Sequence, residues 1–476
     1  MVDNSKVLGT APVGTLLVRY CVPSVLAMLV QVLYTFVDAI FVGQFVGEKG
    51  IAAVTLVFPI VVFCSGFGML VGVGACSCIS LLLGQRRLEE AEKTLGNAFS
   101  MIILFSLVMT TCLLVLGTLF VESSQVSEEV REMAKMFLWI SISCGILPAL
   151  MFGLNNIIRV QGNPRIAMGS IMFGFCLNST LNPLFIAVFN WGVAGSALAT
   201  ALAQAVTTVW ILYFLTSSHS LLKLKLKNMR LDWKICAPVL AIGLAPFLAQ
   251  SASSLQGMIL NVQLEAYGEE VALTTAGVIY RVALIIFTVV LGIYQGAQPI
   301  LGYNYGARQF GRVYRTWLLA IGAASVWCFV TVSLVLLFPI QTVAMVTQLT
   351  PELREICGTA LRLSLAMCLL MGFQVVVSQY FQTIGKPRLS IFLSLTRQVI
   401  FMIPALFLLP LIMEKLGFPG LLGIWGSFTF ADIMAFLLTA CFFWRECWHL
   451  KTGSVEPTPN QPPTISVVET PTSITP

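Results

Sequence analysis

Two carboxylates, Asp38 and Asp432, interrupt long apolar runs of this 476-residue chain. An ionisable side chain at the centre of a bilayer costs roughly 2.5–3.5 kcal/mol on insertion scales, so each marks a candidate functional position. Asp38 ends the stretch Gln31-Val-Leu-Tyr34-Thr35-Phe-Val-Asp38. Its polar members follow i, i+3, i+4, i+7 spacing, which puts Gln31, Tyr34, Thr35 and Asp38 on one helix face. A polar stripe on an apolar helix faces a wet cavity, where a carboxylate can bind a proton or coordinate sodium. Low-dielectric surroundings favour the protonated form of an acid, so such a group titrates usefully. The alternative is a carboxylate near the outer interface, or one hydrogen-bonded to a neighbouring helix. A second polar group lies in the fifth apolar run, at Asn178, Ser179, Thr180 and Asn182, just before Pro183. Asn178 and Asn182 are i, i+4 and face together. Pro183 lacks an N–H and frees carbonyls at that depth. Amides and free carbonyls can ligate a cation or hydrogen-bond a carboxylate, or else simply hold helices together. The glycosylation pattern Asn178-Ser179-Thr180 falls within a span and is set aside.

The elements that must position these groups follow from composition. The chain is 58% hydrophobic and 10% charged, with a mean hydropathy of +0.91, against about 25% charged in soluble domains. Much of its surface must face lipid. Apolar runs at 14–42, 51–83, 94–120, 133–158, 165–189, 193–215, 236–264, 272–304, 315–341, 353–381, 389–412 and 421–447 predict about twelve spans. Of the 27 Lys and Arg, 18 fall in segments on the side of the N-terminus, Arg159 among them, and five in the opposite loops. Both termini are therefore expected in the cytoplasm. No cleavable signal peptide is read at the N-terminus.

The chain also repeats itself. Leu83-Gly84-Gln85-Arg86 echoes Tyr305-Gly306-Ala307-Arg308, Gly162-Asn163-Pro164-Arg165 echoes Gly385-Lys386-Pro387-Arg388, and Pro23 echoes Pro246, at offsets of 222 to 223. Six spans per repeat is an even number, so the halves share one orientation, an architecture that places substrate between them. The expected divisions are an N-terminal segment 1–13, a six-helix lobe 14–216, a basic linker 217–233, a second six-helix lobe 234–447, and a disordered Pro/Thr/Ser-rich tail 448–476. In the second lobe Asn261 stands where Asp38 stands in the first, so that acid is missing. The polar set there includes Gln256, Arg281, Gln295, Arg397 and Asp432. A buried Arg–Asp pair is expected, from Arg281 or Arg397 to Asp432, and the sequence does not choose between them.

Other chemistries are poorly served. The thirteen Cys are scattered without paired spacing, which argues against a disulfide framework. His219 and His449 lie in a loop and near the last span's end, leaving little metal chemistry beyond a sodium ion at Asp38. The glycines from Gly66 to Gly74 lack the GK[ST] ending of a phosphate loop, so Gly68 and Gly72 read as small residues for close helix packing. Transport must then be driven by a gradient or passive, with no cofactor expected other than a coupling ion, H+ or Na+.

Several stretches in combination resemble the multidrug and toxic compound extrusion (MATE) family. They are Tyr34 to Gly43, Ile51-Ala-Ala-Val54, Leu181 to Ile186, Gln295 to Ala307 and Gln382-Thr-Ile-Gly-Lys-Pro387. Arg397 to Pro404 and Ala431-Asp432 are similar to its MepA-like bacterial branch. The resemblance covers about residues 10–447. It implies an all-α membrane protein of the MATE/MOP-type transporter fold, with twelve transmembrane helices in two parallel-repeat six-helix bundles around a V-shaped cavity. It implies antiport of drugs against cations by alternating access. It also implies Asp38 as the coupling carboxylate, beside Gln31, Tyr34, Asn178 and Thr200. The family commonly has Asp before the proline of the fifth span, where this chain has Asn182, so either Asp38 works alone or sodium binds there with amide help. The expectation is a non-enzymatic, monomeric multi-pass protein of the cell membrane that exports small amphipathic cations, with no nucleic-acid partner. The rivals are a flippase for lipid-linked precursors, which would want a cationic cavity from Arg281, Arg362 and Arg397, and an intramembrane enzyme, which would need a nucleophile–base pair or metal ligands at membrane depth.

Overall fold

A computed structural model of the chain describes residues 6–124, 126–346 and 350–452. The expected disorder of the tail falls almost wholly on residues outside that set. Every regular element among the described residues is helical. Ten helices are long and apolar enough to cross a bilayer, and two bent pairs raise the number to twelve. The first half holds α1 (Lys6–Thr10), α2 (Val13–Phe45), α3 (Glu48–Gly84), α4 (Leu88–Ser123), α5 (Glu128–Ser143), α6 (Ile146–Val160), α7 (Pro164–Pro183) and α8 (Gly192–Thr216). The second holds α9 (Trp233–Gly306), α10 (Phe310–Leu337), α11 (Pro339–Val346), α12 (Pro351–Leu365), α13 (Met371–Thr383), α14 (Pro387–Leu395), α15 (Ile403–Lys415) and α16 (Gly420–Thr452).

Four features depart from a plain set of twelve rods. The fourth span is broken between α5 and α6 by 44°, and the tenth between α12 and α13 by 43°. The short helix α1 lies outside the predicted spans, and α11 overlaps only the last three residues of the predicted span 315–341. Two segments are wound more widely than an α-helix: Leu184–Val188 directly after Pro183, and Thr396–Met402 directly before α15. A proline deprives its helix of one donor, and a wider turn is one way of re-pairing the freed carbonyls. Finally, α9 is helical throughout its 74 residues, which would be about 110 Å if straight. Yet α3 meets both of its ends, because a Cβ on Gly74 would lie 2.0 Å from the Val239 carbonyl oxygen and one on Gly84 2.0 Å from that of Tyr303. Ten residues of α3 cover only about 15 Å. So α9 doubles back, and its arms Trp233–Gly268 and Val271–Gly306 are two spans.

The repeat is visible in backbone geometry. Arg86 and Arg308 take φ of 61° and 58°, and Gly162 and Gly385 take 95° and 79°. These left-handed residues end equivalent helices at the repeated motifs. The halves meet most extensively where α3 and α2 pack on α9. The seam is glycine-lined. A Cβ added to Gly243 would lie 1.7 Å from the Leu70 carbonyl oxygen, and one added to Gly306 2.2 Å from that of Leu81. Within the first half, Gly72 would likewise collide with Gly153 Cα at 2.4 Å and Gly68 with Ala149 Cα at 2.5 Å, the close-packing role expected of them.

The N-terminal helix crosses to the other half. Arg312 of α10 donates to the carbonyls of Leu8 at 3.1 Å and Ala11 at 2.7 Å. Asn304 of α9 donates to the Leu8 carbonyl at 3.0 Å and accepts from Arg312 Nε at 3.0 Å. Leu8 is fully buried beneath them. The interhelix linker is strapped at the same end: Asn97 of α4 donates to the Asn228 carbonyl at 3.3 Å and accepts from the Asp232 amide at 2.7 Å.

Candidate functional site

The first half assembles a polar cluster from three helices. Helix α2 supplies Asp38, which is half-buried. The Asn182 amide from the end of α7 donates to Asp38 Oδ1, and Ser196 Oγ from α8 donates to the same oxygen at 3.2 Å. One turn away, Asn178 Nδ2 donates to Thr200 Oγ1 at 3.1 Å. The i, i+4 pairing of Asn178 with Asn182 expected on α7 thus meets the i, i+4 pair Ser196 and Thr200 on α8. Both asparagines are fully buried, and the wide turn after Pro183 begins immediately beyond them. Asp38 carries the only formal charge in this group.

The amide donors of Asn178 and Asn182 are used while their acceptors are not. The side-chain carbonyl oxygens of Gln31, Asn178 and Asn182 are buried without a protein hydrogen-bond partner. A buried amide oxygen left unpaired is costly, so the arrangement suits a guest that accepts electron pairs, whether a proton carrier or a cation. Beside it, Gln31, Tyr34, Phe152, Phe175, Gln204 and Thr207 help line a cavity of about 60 Å³, and the rings of Tyr34 and Phe175 lie 6.5 Å apart. Thr35 is exposed and bonds back to the Gln31 carbonyl at 3.4 Å. Ser196 was not among the residues expected from the sequence. Its signal is the polar stripe Ser196, Thr200, Gln204, Thr207 at helical spacing on α8.

The second half resolves the choice of ion pair. Arg397 Nε donates to Asp432 Oδ1 at 2.5 Å, and Cys368 Sγ lies 3.6 Å from the other oxygen. Arg397 sits on the wide turn Thr396–Met402, with Gln398 bonded to Ser253 at 2.8 Å. Arg281 is exposed and is not the partner of Asp432. Gln256 is half-buried and Asn261 exposed, and neither joins the network around Asp38. Gln295 is drawn into the seam, where its Oε1 accepts from Arg159 at 2.5 Å and its amide approaches Met28 Sδ at 3.6 Å. Arg159 itself, counted among the loop cations on sequence grounds, is buried at 6% exposure. It closes the last turn of α6, and its second amine donates to Asn156 Oδ1. Among the described residues no cluster of three or more His, Cys, Asp or Glu stands ready for a metal ion.

A family model described as MatE matches residues 23–184 and 246–408, one match in each half, beginning at Pro23 and Pro246. The chain is 24% identical over 406 residues to the multidrug export protein MepA of Staphylococcus aureus strain N315, covering 84% of this chain and 88% of that one. It superposes with a TM-score of 0.87 and 24% identity on a crystal structure of MATE in complex with MaL6, covering 95% of this chain and all of that one. It superposes equally well, again at 0.87 and 24% identity, on the outward-facing conformation of a multidrug resistance MATE family transporter of the MOP superfamily, covering 95% of this chain and 99% of that one.

Proposed function

Because this chain belongs to the MatE family, we propose that it is a secondary active multidrug exporter. On this reading it moves amphipathic organic cations out of the cell against an inward flow of H+ or Na+. The observation that carries the coupling is the Asp38 cluster: one carboxylate, held by Asn182 and Ser196, among amide oxygens that lack protein partners. A proton on Asp38 neutralises the only charge there. A sodium ion draws instead on the carboxylate and the side-chain oxygens of Asn178 and Asn182. Either event changes the electrostatics of α2, α7 and α8 together, which couples ion binding to the packing of one half.

Transport then proceeds by rocking of the halves about the seam. The seam is tight at the end carrying the Gly84 and Gly306 turns. That end also carries most of the Lys and Arg, so it is assigned to the cytoplasm, and the multi-pass chain to the cell membrane with both termini inside. Aromatic and apolar walls supply most of the binding to an amphipathic cation, and Asp38 favours its charge. The flippase reading has less support, because Asp432 neutralises Arg397. The test is efflux of a fluorescent amphipathic cation from proteoliposomes under separate proton and sodium gradients. Efflux driven by one or both supports the reading; a rate indifferent to both would refute ion coupling.

A further inference from the structure

The buried cation at the seam has no carboxylate to balance it. Arg159 ends α6, and its guanidinium is held by two neutral groups, Gln295 Oε1 of α9 at 2.5 Å and Asn156 Oδ1 of its own helix. Among the described residues no Asp or Glu bridges it, whereas Arg397, only partly buried, is matched by Asp432. The surroundings are tight: Ser77 and Gln298, bonded across the same seam at 3.1 Å, are both buried. Withdrawing a guanidinium from water without a counter-charge is expensive, and neutral amides repay only part of it.

We propose that Arg159 is a positioning residue of the transport cycle, an uncompensated charge that biases the closed seam towards opening. The inference rests on the rocking-halves reading above. When α6 and α9 separate at this end, the guanidinium regains water. The closed state thus stores a penalty that the open state does not carry, while the glycine contacts of α3 with α9 pull the other way. A seam that both attracts and repels stays near balance, so a single bound ion or substrate can shift it.

Spin labels carried on unnatural side chains at positions 165 and 388 leave the native cysteines untouched. Both positions are exposed, at the starts of α7 and α14 in opposite halves. Pulsed electron–electron distance measurements in nanodiscs then give the ratio of closed to open populations without substrate. Arg159→Gln keeps hydrogen-bonding capacity and removes the charge, and the ratio is expected to rise at least about tenfold. Gln295→Glu supplies the missing counter-charge and is expected to raise it likewise. This second variant decides the matter should the first fail to fold. A ratio that falls in Arg159→Gln would make the residue a clamp and overturn the proposal, as would an unchanged ratio in either folded variant. A residue of purely structural value would shift the melting temperature alone. One distance, invariant in wild type and variants, would overturn the rocking reading and this inference with it; two distances indifferent to both substitutions would overturn this inference only.

Discussion

Replacing Asp38 by Asn removes the charge of the candidate coupling site at nearly constant volume. In the native cluster Asp38 Oδ1 accepts from Asn182 and from Ser196. The amide oxygen of the replacement side chain can keep both bonds, each weakened from the charge-assisted range of about 1.5–3 kcal/mol to the neutral range of about 0.5–1.5. The summed loss is about 2–3 kcal/mol. It is offset by no longer holding a carboxylate out of water, which costs several kcal/mol. The folded protein should therefore persist, with a melting temperature within a few degrees of wild type. Coupling should not persist. One proton moving down one pH unit supplies about 1.4 kcal/mol, enough for a tenfold concentration ratio of substrate at equilibrium; a tenfold sodium gradient supplies the same per ion. In proteoliposomes with an imposed tenfold gradient, wild type should build a cation ratio of up to about tenfold per coupled ion, and Asp38→Asn a ratio near one. A variant that is folded, inserted and still accumulates the dye would make Asp38 a structural residue.

Other consequences follow from the same geometry. Asn182→Asp places a second acid against Asp38, and two carboxylates in contact share a proton that neither holds alone; plots of efflux against pH, with and without sodium, should change shape, and superimposable plots would put Asn182 outside the coupling site. Arg397→Gln strands Asp432 in the interior and should cost about 3–5 kcal/mol, whereas the double replacement Arg397→Met with Asp432→Leu should melt close to wild type; equal melting of the single variant would mean that the pair is solvated. Gly243→Ala drives a Cβ to 1.7 Å from the Leu70 carbonyl, so the seam should no longer close, and the spin-label distance between 165 and 388 should lengthen; an unaltered distribution would show that α3 and α9 can yield there.

Much of this was legible in the sequence, for identifiable reasons. The face joining Gln31, Tyr34, Thr35 and Asp38 follows from helical spacing alone, and the repeat offsets anticipated two chain segments matched by one family model. Spans 236–264 and 272–304 are separate in the sequence and in the structure because 74 residues are far more than one crossing of a bilayer needs, even though α9 stays helical through its bend. Choosing Arg397 over Arg281 was out of reach, since partner choice depends on which helices are neighbours. Arg159 misled for a related reason. Charge counting treats a basic residue at a span's end as solvated, and only packing against α9 buries it. Ser196 was overlooked because one hydroxyl in an apolar helix is usually satisfied by its own backbone.

The docking of α1 has a mechanical consequence. By covalent order that helix precedes α2 in the first half, but its carbonyls are gripped by Asn304 and Arg312 of the second. The linker that joins the halves covalently is fastened at the same end, through Asn97. Two straps on one rim, one covalent and one made of hydrogen bonds, resist twisting of the halves about the long axis and leave tilting as the soft motion, much as a door on two hinges swings but does not spin. They also give the halves a tie that does not depend on the linker: halves made as separate polypeptides would still be bonded across the seam through the carbonyls of Leu8 and Ala11.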